Sequence, residues 1–147
     1  MQDQRTRTND VALQILGDLY THEVAGVVKY LHYSFLIMGY NRIPIQKWFR
    51  EQADEGMLHS ILVGEKITSL GGEPPFSKTL EASGAHSMNE ILAEALDFEE
   101  QALTLYHKLA VHAASTNDVA LEELARRQIS EETDHVDEIR KMLRPPF

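Results

Sequence analysis

Residues 131–137 have the sequence EETDHVD, which places two glutamates, two aspartates and one histidine within seven positions. Glu132 and His135 are three residues apart, so on a helix both side chains would point to one face. Such a face is either solvated or one half of a metal site, and a half-site requires a partner elsewhere in the chain. The other acidic residues of this region are interpreted as solvated: Glu131, Asp134, Asp137 and Glu138.

The composition is that of a folded acidic protein. The chain has 147 residues, of which 43% are hydrophobic and 25% charged, and we expect a single domain over residues 1–147. A formal charge of -9 without a Lys/Arg cluster favours cations as partners and argues against nucleic acid. The absence of cysteine excludes thiolate nucleophiles and iron–sulfur centres. Neither a signal peptide nor a membrane span is predicted, so a cytoplasmic location is expected.

The hydrophobic periodicity predicts four long helices separated by turn residues. The first has Thr8 or Asn9 as its cap, and the third begins with a capping box formed by Ser87 and Glu90. The predicted helices run from Asp10 to about Met38, from the turn at Pro44 to about Leu70, from Ser87 to about Ala114, and from Asp118 to about Leu143.

The connections between these segments predict how the helices are arranged. Two short turns join the first helix to the second and the third to the fourth, while the Pro/Gly/Ser-rich segment 71–86 makes a long crossover. This order predicts an all-α, antiparallel four-helix bundle. The four residues after Leu143 leave no room for a fifth long helix.

Polar residues recur at matching places in the two predicted hairpins. Glu23 and Tyr30 are seven residues apart, which is two turns with about 20° of slippage. Glu99 and Tyr106 repeat the spacing in the third helix, and the second helix supplies His59. The chain therefore looks like a diverged duplication of a Glu-x6-Tyr helix followed by a histidine helix.

Four motifs, one from each helix, carry a resemblance to the ferritin-like di-iron superfamily, and to bacterioferritin in particular, over nearly the whole chain. The motifs are HEVAGVVKY (22–30), MLHSILVGEKITSLGG (57–72), FEEQALTLY (98–106) and EETDHVDEI (131–139). The resemblance implies terminal metal ligands at Glu23 and Glu99, imidazole ligands at His59 and His135, and a bridging carboxylate at Glu132. It also implies a catalytic part for Glu132.

One position departs from the family pattern. The second helix has Gly56 where the family has a glutamate three residues before the histidine, and Glu55 lies one position earlier. We expect Glu55 to supply the missing carboxylate through a rotamer change or a local π-bulge, which glycine would ease. The alternative is a solvent-facing Glu55 and an altered or single-metal centre.

Two further residue types have alternative interpretations. Tyr30 is a candidate catalytic residue, but tyrosines such as Tyr30 and Tyr106 are more often packed aromatics, whose hydroxyls could anchor a ligand carboxylate. Met57 occupies the position of the haem-ligating methionine in bacterioferritin, and methionine also commonly fills helix interfaces. Haem would require two subunits to share a pocket.

The predicted function is oxidation of Fe(II) by O2 or peroxide at an intrasubunit centre of two ions, or of one, for iron storage or detoxification. The oxygen and nitrogen ligands also suit Mn(II) and Zn(II). The alternatives are a di-iron oxygenase or peroxidase acting on an organic substrate, a non-enzymatic metal-binding bundle, and a DNA-protecting shell with sites between subunits. A homo-oligomer is expected, either a dimer or a shell.

Overall fold

The computed structural model describes residues 2–76, 80–81 and 83–146, with side chains from residue 8 onward. The described residues form four α-helices and no strand: α1 Gln2–Leu36, α2 Arg42–Ser69, α3 Met88–Ser115 and α4 Val119–Leu143. The predicted all-α four-helix bundle is confirmed. No further helix follows α4 in the described part of the chain, and no described helix has an apolar stretch that could span a bilayer.

The start of the first helix was predicted wrongly. α1 begins at Gln2, so Thr8 and Asn9 lie inside the helix and do not cap it. Residues 2–9 contain neither glycine nor proline, and Thr and Asn lower helix stability by only about 0.7 kcal/mol each relative to Ala. No residue of this polar segment therefore ends the helix. The predicted start at Asp10 was based on the apolar periodicity, which this segment lacks.

The turn after α1 and the N-terminal caps of α3 and α4 follow the predicted chemistry. Gly39 has a φ of +92° between α1 and α2, a conformation that residues with a Cβ rarely adopt. The Ser87 hydroxyl accepts from the Glu90 backbone N–H at 3.2 Å, and the Glu90 carboxylate accepts from the Ser87 backbone N–H at 3.3 Å. These two hydrogen bonds form the predicted capping box. The Asp118 side chain caps α4 by accepting from the N–H of Leu121 at 3.0 Å.

The described residues of the crossover have no regular structure, as predicted, while residues 77–79 and 82 lie outside the described set. Gly72 lies against α1 where a Cβ would be 2.6 Å from Leu13 Cδ2. The crossover therefore begins with a close approach of its backbone to the first helix.

Two hydrophobic clusters occupy opposite halves of the bundle, and each contains residues of all four helices. The first lies around Leu16 and Leu109 and the second around Phe49 and Ile91. Buried polar residues lie between them at the middle of the helices. The burial of apolar side chains in both clusters holds the four helices together, and this fixes the positions of the helices on either side of the polar layer.

Candidate metal centre

Each helix contributes one buried carboxylate or imidazole to the polar layer. The exposed fractions are 6% for Glu23 on α1, 6% for His59 on α2, 4% for Glu99 on α3 and 2% for Glu132 on α4. Isolated carboxylates and imidazoles are costly to bury, so a layer of this kind needs partners or a cation. Four of the predicted ligands therefore lie together in one buried layer.

Two groups of possible ligand atoms meet in this layer. Glu23, His59 and Glu132 form one, and Glu99, Glu132 and His135 form the other, with the ligand atoms of each group within 4.8 Å of one another. Glu132 belongs to both: its Oε1 is 3.2 Å from Nδ1 of His59 and its Oε2 is 3.3 Å from Nδ1 of His135. One carboxylate thus connects two three-residue sites.

The two tyrosines hold the outer glutamates in a crossed arrangement. Tyr106 of α3 donates from its hydroxyl to Glu23 of α1 at 2.7 Å, and Tyr30 of α1 donates to Glu99 of α3. Burial, followed by the neighbouring carboxylates, raises the pKa of Tyr30 and of Tyr106 well above the ordinary value. Both hydroxyls therefore stay protonated and act as donors.

The outer nitrogens of the two histidines are also paired with carboxylates. Nε2 of His59 donates to Glu131 at 2.8 Å, and Nε2 of His135 lies 2.6 Å from a carboxylate oxygen of Glu55. Both carboxylates are partly exposed, 54% for Glu131 and 44% for Glu55. Each histidine thus turns Nδ1 inward to Glu132 and Nε2 outward to a carboxylate of the opposite hairpin.

Protons compensate the buried charge of the metal-free centre. Burial alone would lower the pKa of His59, but its hydrogen bonds to Glu132 and Glu23 raise it to about 11. Burial and the adjacent Glu132 raise the pKa of Glu99 well above its usual range. The pKa of Glu132 lies below its usual range despite burial, because Glu99, His135 and His59 form hydrogen bonds to it. The layer stabilises positive charge at its centre.

The space between these side chains is small. The cavity has a volume of about 10 Å³, and its lining includes His22 and Phe98 as well as the predicted ligands. This volume accommodates roughly one water-sized species. Burial lowers the pKa of His22, so its ring is neutral. The ring donates from Nε2 to the Phe98 carbonyl at 2.9 Å.

A family model described as a ferritin-like domain matches residues 13–145, and these residues include every side chain of the centre. The chain belongs to the ferritin-like family. The resemblance drawn from the four motifs is therefore confirmed. No curated protein sequence matches this ferritin-like chain.

Several solved structures have the same fold. A ferritin-like, diiron-carboxylate protein from Bacillus anthracis str. Ames is 24% identical, with a TM-score of 0.88 over 93% of this chain and 98% of that one. The bacterioferritin of Desulfovibrio desulfuricans, which has a diiron site, is 19% identical, with a TM-score of 0.86 over 95% and 81%. Dps from Thermosynechococcus elongatus is 20% identical, with a TM-score of 0.89 over 97% and 96%. These likenesses establish the shared fold.

In this ferritin-like chain, Glu55 does not take the place of the missing glutamate, contrary to our expectation. α2 is a regular α-helix throughout Arg42–Ser69, without a π-bulge at Gly56. Glu55 lies outside both ligand groups and contacts the outer nitrogen of His135. The structure thus places Glu55 beside a predicted ligand, and does not place it in the bridging position.

Gly56 marks a close approach of two helices. A Cβ at this position would lie 3.2 Å from Val27 Cγ2 and 3.5 Å from the Glu23 carbonyl oxygen. The 3.2 Å contact would require the Val27 side chain to give way by a few tenths of an ångström, whereas 3.5 Å is an ordinary contact distance. The position therefore allows α1 and α2 to pack tightly beside the centre.

Glu131 was wrongly interpreted as only a solvated residue. It lies four residues before His135, as Glu55 lies four residues before His59, and each contacts the histidine of the other hairpin. The repeated i, i+4 spacing was visible in the sequence and could have identified the pair.

Met57 lies away from the centre, on the outer surface. Its side chain is 52% exposed and borders a groove with Val24, Val28 and Ile61. A single chain places no second methionine there, so haem binding stays a prediction.

Proposed function

We propose that this ferritin-like chain is a ferroxidase whose substrate is Fe(II), bound as two ions per chain and oxidised by O2 or peroxide for iron storage or detoxification. The observation that carries the proposal is the sharing of Glu132 by two buried Glu/His groups. Glu23 and His59 would hold one ion, Glu99 and His135 the other, and Glu132 would join them. Fe(II), when bound, supplies one electron per ion to the oxidant.

The donor set fits iron. Carboxylate oxygens and imidazole nitrogens with no sulfur suit Fe(II), and also Mn(II) and Zn(II). Three carboxylates leave two divalent ions with one uncompensated positive charge, which hydroxide or another small anion can balance. The cavity of about 10 Å³ suits a water-sized anion such as hydroxide.

The other residues around the centre hold the ligands in place. The tyrosine hydroxyls bind Glu23 and Glu99, so we propose that Tyr30 acts by positioning Glu99. The outer carboxylates lie against Nε2 of His59 and of His135, which leaves Nδ1 of each ring facing the centre. Carboxylates in this arrangement fix the tautomer and orientation of a ligand imidazole.

Anaerobic Fe(II) titration followed by addition of O2 or hydrogen peroxide tests the proposal. We expect two tight Fe(II) ions per chain and rapid oxidation of both. Binding of one ion without rapid oxidation would favour a mononuclear centre, and no tight binding would favour a structural bundle. Either result would refute the ferroxidase proposal.

Replacing Glu55 or Glu131 with alanine is expected to weaken metal binding without changing the number of ions bound. Removal of a carboxylate behind a ligand histidine lowers metal affinity by about 10–100-fold. Calorimetric titration with Zn(II) measures both affinity and stoichiometry. Glu51→Ala is a matched control, because Glu51 is an exposed carboxylate one turn before Glu55 that pairs with Lys47. A fall from two ions to one in Glu55→Ala would show instead that Glu55 is itself a ligand.

A further inference from the structure

Two rings stack across the interface of α1 and α3, next to the outer ligands of the centre. The ring centroids of His22 and Phe98 are 3.8 Å apart and the planes are inclined by 12°. The His22 ring also donates from Nε2 to the Phe98 carbonyl at 2.9 Å. Each ring immediately precedes a predicted ligand, Glu23 or Glu99, in the sequence. The stack therefore links the two helices at the level of these ligands.

A glycine on α1 makes room for the phenyl ring. A Cβ at Gly26 would lie 2.9 Å from Phe98 Cε1 and 3.2 Å from Cζ, and real Cβ atoms essentially never come closer than 3.0 Å to a neighbour. Tyr30 packs edge-on against the same ring, with centroids 5.9 Å apart, and Lys29 Nζ lies 5.2 Å from the ring centroid. Phe98 is thus held on several sides in one position.

The bundle is narrower between α1 and α3 than between α2 and α4. Cα atoms of α1 and α3 come within 8 Å of each other, whereas no described Cα pair between α2 and α4 does. Side chains span the wider side, through the contacts of Glu55 with His135 and of Glu131 with His59. The narrower side has the aromatic stack, and both of its rings line the cavity of the centre.

We propose that the His22–Phe98 stack, seated in the space left by Gly26, is a positioning element that sets the relative placement of Glu23 and Glu99. The inference rests on the proposed metal binding at this centre. The tyrosine bonds orient each carboxylate, while the stack fixes the distance between the helices that bear them. Ligand placement must hold within about 0.5 Å for a productive site, and a Cβ at Gly26 would move the phenyl ring by a comparable amount.

Co(II) binding by single-substitution variants of the full chain tests the proposal. The ligand-field absorption of Co(II) reports the geometry of its ligands without any oxidation step. Gly26→Ala is expected to change this spectrum and to lower Co(II) affinity by about 10-fold or more. Gly17→Ala is the matched control, because it changes the same residue type on the same helix. Its Cβ would have only ordinary contacts, at 3.9 Å or more, with Pro75. The control should leave the spectrum unchanged.

A second pair of variants separates the ring contact from the hydrogen bond. His22→Ala removes the stacked ring and the hydrogen bond, and its Co(II) spectrum is expected to resemble that of Gly26→Ala. His22→Phe removes the hydrogen bond but keeps a stacking ring, and it should retain most of the native spectrum. Thermal unfolding of the metal-free variants reports any general loss of stability. A native Co(II) spectrum and affinity in both Gly26→Ala and His22→Ala would overturn the inference, whatever happened to stability.

Co(II) binding by the wild type distinguishes a failure of the proposed metal centre from a failure of the positioning role. Failure of the wild type to bind Co(II) would refute the metal centre, and the positioning role with it. Two Co(II) ions bound by the wild type, with unchanged binding in the stack variants, would refute the positioning role alone.

Discussion

Replacing Glu132 with alanine is expected to abolish the oxidation of Fe(II) and to lower the affinity at both metal positions by roughly 10³-fold. Glu132 belongs to both ligand groups and contacts both histidines. A carboxylate–cation contact at about 4 Å and an effective dielectric constant of 20 is worth about 4 kcal/mol per unit charge, which corresponds to roughly 10³ in affinity. Loss of the shared residue should therefore affect both ions together.

Zn(II) calorimetry and stopped-flow oxidation of Fe(II) measure this effect, with Glu131→Ala as the matched control. Glu131 is the preceding residue, so its replacement changes the same helix by the same number of atoms, yet it contacts only the outer nitrogen of His59 among the ligands. We expect its replacement to lower affinity by about 10–100-fold. Equal effects of the two substitutions would contradict the assignment of Glu132 as the shared ligand. Circular dichroism should show that both variants remain helical.

The substitution Gly56→Glu is expected to tighten the binding of divalent ions by about 10–100-fold while destabilising the metal-free chain. Gly56 lies three residues before His59, as Glu132 lies three residues before His135, and it borders the same cavity. A fourth carboxylate would match the charge of two divalent ions. The 3.2 Å contact of a Cβ with Val27 makes the substitution an overpacking change, for which about 1–3 kcal/mol of lost stability is typical.

Gly56→Gln separates the two effects, because it has nearly the same volume without the charge. Both variants should lose stability in chemical denaturation of the metal-free chain, with the larger loss in Gly56→Glu because its carboxylate is repelled by those already present. Zn(II) affinity should rise in Gly56→Glu alone. Weaker Zn(II) binding in Gly56→Glu than in Gly56→Gln would show that a carboxylate at this position cannot reach the centre and would refute the prediction.

Local spacing was sufficient to predict much of the fold and of the candidate site. Glu132 and His135 share a face because three residues nearly complete a helical turn, whatever packs against that face. The Ser87 capping box and the stop after Leu143 also depend on a few neighbouring residues, and both were predicted. The start of α1 was not, because its polar first turns need no apolar face and contain no residue that ends a helix.

Contacts between residues distant in the chain required the tertiary structure. Periodicity placed Tyr30 and Glu23 on one face of α1, but the bundle pairs Tyr30 with Glu99 and Tyr106 with Glu23, 83 positions apart. Glu55 was expected at the missing bridge for a similar reason. The i, i+4 relation gives the angular position of Glu55 on α2, but it does not give the side chain of the neighbouring helix that Glu55 contacts.

The sequence by itself determined that four helices form, where most of them end, and which carboxylates and histidines lie on their inner faces. These properties follow from hydrogen bonds and side-chain periods that span a few residues. Only the tertiary structure decided that Glu55 and Glu131 contact the histidines of the opposite hairpins, and that Gly56 and Gly26 lie at close contacts. The physical reason is that helix rotation and separation are set by the packing of the two hydrophobic clusters over the whole bundle. Differences of an ångström in that packing change which side chain reaches which nitrogen.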